Sequence, residues 1–168
     1  MIDKNFWADK KVLVTGHTGF KGSWLSIWLN IVNAKVYGIS LPPQDSNSLF
    51  CLSKLEKNLF ANEFIDICKY EPLKNSIEKI RPDVVFHMAA QPLVFESYSH
   101  PQNTWLTNVQ GSINLLEALK SSERVCSVVM ITTDKVYENK NWDFSYREND
   151  RLGGHDPYSA SKAAAEIA

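Results

Sequence analysis

The stretch "VLVTGHTGFKGSWL", Val12–Leu25, leaves an apolar run, passes three glycines at three-residue intervals (Gly16, Gly19, Gly22) and enters a tryptophan-bearing apolar segment. The chain has only seven glycines, so three in one turn need a reason. A strand–turn–helix supplies it. One glycine makes the tight turn, a second lets backbone approach a pyrophosphate, and a third lets helix and strand pack closely. The helix amino terminus then offers unpaired N–H groups to phosphate oxygens. The spacing is GxxGxxG rather than GxGxxG, and a glycine triplet alone also fits a purely structural turn. The flanking strand and helix favour the ligand site.

Working outward, short apolar runs alternate with helical patterns. Strands are expected at residues 10–16, 34–40, 63–67, 82–90 and 126–134, and helices at 23–33, 49–58, 71–80, 102–122 and from 156 on. "LPPQDSNS", residues 41–48, reads as a loop. Alternation of this kind implies parallel βαβ units with right-handed crossovers. The expected fold is a Rossmann-type, doubly wound parallel α/β sheet with its ligands at the carboxyl ends of the strands. Trp24 and Trp28 are expected to pack on the sheet as core, and His87 to be a hydrogen-bonded core histidine.

At 168 residues, 44% hydrophobic and 22% charged, the composition is that of a soluble globular domain. A net charge of −1 gives no bulk electrostatic case for nucleic acid or an anionic membrane. No apolar run reaches spanning length, and "MIDKNFWADKK" lacks the apolar core of a signal peptide. Cys51, Cys68 and Cys126 are scattered and odd in number, as expected of reduced thiols in a cytoplasmic protein. No metal site is expected, since His100 and His155 have no second ligand at suitable spacing. The final "DPYSASKAAAEIA" starts a helix that no Gly or Pro closes. Residues 1–168 are therefore expected to be one domain, the amino-terminal part of a longer chain.

"YSASK" sets Tyr158 and Lys162 four residues apart, on one helix face and about 6 Å apart at Cβ. A tyrosine loses its proton at about pH 10, and a neighbouring ammonium brings that towards neutrality by favouring the phenolate. Such a pair is common on solvated helices. Here it follows a strand that ends in Thr132, Thr133 and Asp134, at the edge of the sheet where ligands bind.

Glycine turn, strand-end threonine and Tyr–Lys pair together resemble the extended short-chain dehydrogenase/reductase family over essentially the whole chain. The resemblance implies a catalytic set of Thr133, Tyr158 and Lys162. It implies a phosphate cradle of Gly16, His17, Thr18, Gly19, Phe20, Lys21 and Gly22. Asp66 and Ile67 match the family's adenine-contacting pair, Ala89, Ala90 and Gln91 its segment beside the cofactor, and Asn108 a helix asparagine that supports the active site. Tyr158 and Lys162 also belong to the cofactor set. From the residues alone, His17 fits either a cofactor contact or a structural place, and Lys21 favours a phosphate contact over a solvated charge.

Within that family, "VTGHTGFKGSWL", "HMAAQPLV", "TTDKVYEN", "YREND" and "LGGHDPYSASKAAAE" look like the sugar-nucleotide 4,6-dehydratases that act on CDP-glucose. That implies Asp134 as acid for a departing C6 hydroxyl and Lys135 as base at C5. It also implies a nucleotide-sugar substrate, a homo-oligomer and tightly held NAD, and makes residues 1–168 one NAD(P)-binding domain truncated before a carboxyl-terminal substrate domain. The second strand ends in "GISLPPQ", with Ser40 where an acid would signal NAD and an arginine NADP; the residues leave both open, and the resemblance favours NAD. Phe95 and Glu96 stand where the family often has a basic residue. The rival readings are a related epimerase or reductase, which needs Tyr158 and Lys162 but not Asp134 or Lys135, and a non-catalytic dinucleotide-binding module, which needs only the glycine turn.

Overall fold

The computed structural model describes residues 3–120 and 127–168. Cys126, and with it the expected start of the fifth strand and the end of the 102–122 helix, lies outside the described residues. In chain order the elements are α1 (Lys4–Trp7), β1 (Lys11–Thr15), α2 (Phe20–Ile31), β2 (Lys35–Ser40), α3 (Leu49–Leu52), β3 (Ala61–Phe64), α4 (Tyr70–Ile80), β4 (Val84–His87), α5 (Val94–Ser99), α6 (Pro101–Trp105), α7 (Gly111–Lys120), β5 (Ser127–Met130) and α8 (Pro157–Ile167). The chain divides into two compact units, Met1–Ala89 with Asn114–Ile131, and Ala90–Ile113 with Thr132–Ala168.

The first unit is the expected α/β architecture. Its five strands are all parallel, in the order β3-β2-β1-β4-β5. The order turns back at β1, the switch point where such sheets bind ligands. Val12, Leu13 and Val14 of β1 are fully buried because helices cover both faces of a parallel sheet. On one face Leu13, Ile39 and Val85 pack with Leu73, Ile77 and Ile80 of α4 and Leu115, Ala118 and Leu119 of α7. On the other, Val12, Val14 and Val36 pack with Leu29 of α2, and Trp7, Trp28 and Phe86 join them.

Several expectations change, among them the ends of the fourth and fifth strands, which stop at His87 and Met130 rather than at 90 and 134, so that Thr133 and Asp134 lie beyond the strand. Trp24 is 54% exposed and is not core. The buried positions of α2 are Gly22, Ser23, Ser26 and Leu29, and Trp24 lies about 200° round the helix from Gly22. Trp28 does pack on the sheet. The third strand is Ala61–Phe64 rather than 63–67, so Asp66 and Ile67 fall in the turn beyond it. The helix expected over 49–58 breaks at Lys54, whose φ of 52° is left-handed, into α3 and a 3-10 turn at Leu55–Asn58. The helix expected over 102–122 is interrupted by a π turn at Leu106–Gln110.

In the second unit α8 packs against α5, α6, the π turn and a 3-10 turn at Asp134–Val136. The N-cap of α8 is Asp156, whose carboxylate accepts from Ser159 N–H and Ser159 Oγ, and Pro157 occupies the first turn, where no N–H is needed. An antiparallel bridge between Tyr137 and Leu152 closes the intervening loop.

Candidate active site

In the first unit the three glycines of the opening turn have distinct physical roles. Gly16 has φ +75°, and a side chain there would meet the Ala89 backbone at 2.7 Å. A side chain at Gly22 would overlap the Gly16 backbone. Gly19 differs: a Cβ there would meet only the Gly16 carbonyl, at 3.3 Å. Packing demands glycine at the first and third positions and crowds the middle one only at the Gly16 carbonyl.

Gly19 is also the N-cap of α2 and makes no side-chain cap hydrogen bond. Thr18 cannot serve instead, because its hydroxyl donates to the Leu41 carbonyl at 3.0 Å and accepts from Ser40 Oγ at 2.7 Å. A 12-residue helix thus begins with no side chain over its amino end, which suits an anionic group. A dinucleotide pyrophosphate fits these donors. Phe20 and Lys21, exposed on the first turn, flank them.

His17 is fully buried. Its Nε2 pairs with Asn62 Oδ1 at 2.6 Å, and its ring fills the space a Gly38 side chain would occupy. Burial lowers its pKa, opposed by the bonds to Asn62 and to the Ile39 backbone, which favours the neutral imidazole. The imidazole is a structural wedge, and its carbonyl accepts from Ser23 Oγ at 2.9 Å. His87 is the satisfied core histidine expected, with Nδ1 2.7 Å from Thr15 Oγ1. That hydroxyl oxygen also accepts the Met88 and Ala89 N–H groups, at 3.2 Å each, and so fixes the segment leaving β4. Asp66 folds back to accept from Cys68 N–H, and buried Ile67 gives its carbonyl to Asn114 Nδ2.

The second unit holds Ala90, Gln91, Asn108, Thr133, Asp134, Lys135, Tyr158 and Lys162. Thr133 Oγ1 donates to Asp134 Oδ1 at 3.0 Å, and Lys135 Nζ stands 3.6 Å from the same oxygen. The threonine bond, ahead of the lysine charge, holds the Asp134 carboxyl below its usual range. On α8 Tyr158 is half-buried and Lys162 is 5% exposed. Burial lowers the Lys162 pKa, with Glu166 pulling the other way. Asn108 sits buried within the π turn, bonded to Gln91 and to Ser161. Ser161 was not singled out from the sequence; its place directly before Lys162 is the signal that was there to find.

The family described as GDP-mannose 4,6 dehydratase matches residues 13–168. The chain belongs to that family. This GDP-mannose 4,6 dehydratase family member is 52% identical over 167 residues to the CDP-glucose 4,6-dehydratase of Salmonella typhimurium, covering 99% of this chain and 46% of the relative. It is 32% identical to the dTDP-D-glucose 4,6-dehydratase of Dictyostelium discoideum, over 99% of this chain and 41% of the relative. The chain thus spans less than half the length of either. Among solved structures, the UDP-glucose-4-epimerase of Stenotrophomonas maltophila with bound NAD and formylated UDP-arabinopyranose superposes with a TM-score of 0.79 at 25% identity, covering 94% of this chain and 47% of that one. Among the described residues no helix is long and apolar enough to cross a membrane.

Proposed function

We propose that the chain carries the dinucleotide-binding and catalytic residues of a sugar-nucleotide 4,6-dehydratase that converts CDP-glucose to CDP-4-keto-6-deoxyglucose. The observation that carries this is the 52% identity to a CDP-glucose 4,6-dehydratase along 99% of the chain; in this reading the Thr133–Asp134–Lys135 run and the Tyr158–Lys162 pair carry the chemistry.

In this reading the α2 amino end, with Gly19 and Lys21, holds the pyrophosphate, and NAD is the dinucleotide, as in the bound epimerase. When bound, NAD supplies the acceptor for the C4 hydride and the donor that returns it to C6. Tyr158, as phenolate, takes the proton from the C4 hydroxyl. Lys162 stabilises that phenolate, and its burial strengthens the effect by removing competing water. Thr133 orients the same C4 oxygen. Lys135 takes the C5 proton, made acidic by the new 4-keto group, and later returns it. Asp134 protonates the departing C6 oxygen, which leaves as water. Asp134 must carry a proton to do this, and the bond that Thr133 Oγ1 donates to it favours its anion instead. Turning the Thr133 hydroxyl to the sugar oxygen removes that bond and with it the main stabiliser of the anion, so the carboxyl can take up a proton from water, to which Tyr158 releases the one it took from the C4 hydroxyl, and pass it to the leaving C6 oxygen.

The test is incubation of the full-length protein with CDP-, dTDP-, UDP- and GDP-glucose, with mass spectrometry of the sugars. Fastest formation of the 4-keto-6-deoxy product from CDP-glucose is expected. Equal or faster turnover of dTDP-glucose rejects the substrate, and a C4 epimer without water loss rejects the dehydratase in favour of an epimerase.

A further inference from the structure

Ser161 is completely buried on α8, and Asn108 is 1% exposed in the π turn. Asn108 Oδ1 accepts the Gln91 backbone N–H at 2.8 Å. Asn108 Nδ2 donates to the Gln91 carbonyl at 3.1 Å and to Ser161 Oγ at 2.9 Å. Ser161 Oγ donates to the Tyr158 carbonyl at 2.7 Å. Every direction in this chain is forced. A backbone N–H can only donate, so the amide oxygen of Asn108 must face Gln91 N. Its NH₂ group then faces Ser161, and the serine proton is left for the Tyr158 carbonyl. Gln91 is pinned in turn: its Oε1 accepts from Leu93 N at 2.6 Å, its Nε2 donates to Thr104 Oγ1 at 2.8 Å, and that hydroxyl donates to the His100 carbonyl at 3.0 Å.

Helix formation does not call for this serine. Asp156 already caps α8, and alanines at 160, 163, 164 and 165 show what the helix prefers elsewhere. A buried helix-interior serine is neutral to unfavourable by itself. What it adds is a lateral tie from the peptide of Tyr158 to the π turn. A π turn accommodates one extra residue per turn, often where side chains must be re-aimed for function, and here its buried side chain is Asn108.

We infer that Ser161 is a positioning residue: the Gln91–Asn108–Ser161 relay fixes the orientation of the Tyr158 peptide, and so of the phenol and of Lys162 one turn on. This rests on the reading of Tyr158 as the base. Displacements of about 1 Å in such groups cost roughly 10²-fold in rate.

The test uses the full-length holoenzyme with CDP-glucose. Ser161→Ala is expected to lower kcat about 10- to 100-fold while KM, NAD affinity and melting temperature stay near parental. Asn108→Ala removes the donor to Ser161 from the other side with a loss at least as large, and adding Ser161→Ala to it loses no more. Parental kcat in Ser161→Ala, a parallel fall of KM, NAD affinity and melting temperature, or additive losses would each overturn the relay. Hydrogen exchange separates this from failure of the functional reading. If the parent converts no nucleotide sugar, the proposed function fails. The relay still requires faster amide exchange over residues 158–162 in Ser161→Ala, and unchanged exchange overturns it.

Discussion

At the scale of single residues, chemistry follows from what each backbone position permits. Gly19 has φ −73° and ψ 164°, extended geometry that valine also adopts, with a Cβ meeting only the Gly16 carbonyl oxygen, at 3.3 Å. Gly19→Val should therefore still fold, at the cost of a small drop in urea midpoint as the Gly16 carbonyl shifts by a few tenths of an ångström, and lose NAD affinity by roughly tenfold or more, a cost of about 1.4 kcal/mol; equal affinity by fluorescence titration would exclude the turn as the phosphate cradle. His17 makes a pH prediction. Burial lowers its folded pKa, whereas the unfolded side chain titrates at about 6.5. Below that pH the unfolded state binds the extra proton, so stability is lost as pH falls through 6.5 towards the folded value. His17→Gln should flatten that slope in urea midpoints taken from pH 7.5 down to 5.5. The acid–base groups were readable as residue types at a spacing. The burial of His17 was not, because a residue inside a glycine turn looks exposed until Gly38, 21 positions on, is known to leave space for its ring.

At the scale of elements, that same space yields a reciprocal prediction. A Cβ on Gly38 would lie 2.5 Å from the His17 ring, and overpacking of this kind costs about 1–3 kcal/mol. Gly38→Ala should lose about that much by chemical denaturation, and His17→Ala in the same chain should recover part of it; simple additivity would mean the two do not touch. The alternation of strands and helices was legible because buried parallel strands read as apolar runs between helix patterns. Boundaries set by backbone geometry were not. Lys54 in the left-handed region ends α3, although the helix-forming residues run on past it. The π turn inside "QNTWLTNVQGSINLLEALK" leaves the apolar period nearly intact, so no pattern reveals that Asn108 has been turned inward.

At the scale of the whole molecule, the two rims of the sheet differ. β3, at one rim, carries Asn62 and Glu63. β5, at the other, is Ser127–Met130, and Val129 and the following Ile131 are 41% and 36% exposed. Among the described residues β5 pairs only with β4, so its outer N–H and C=O groups form a template for another extended segment. Residues 1–168 expressed by themselves should accordingly lengthen one another's sheets, seen as concentration-dependent growth in light scattering. A charge placed on that rim obstructs such stacking, so Val129→Lys should raise the concentration at which scattering begins, with little effect on the urea midpoint. If the lysine leaves the onset unchanged, the rim is not the adhesive edge. If the lysine raises the onset, solubility is governed by a strip of four residues that takes no part in the proposed chemistry, and a poor yield of this polypeptide reports on that strip rather than on a misfolded core.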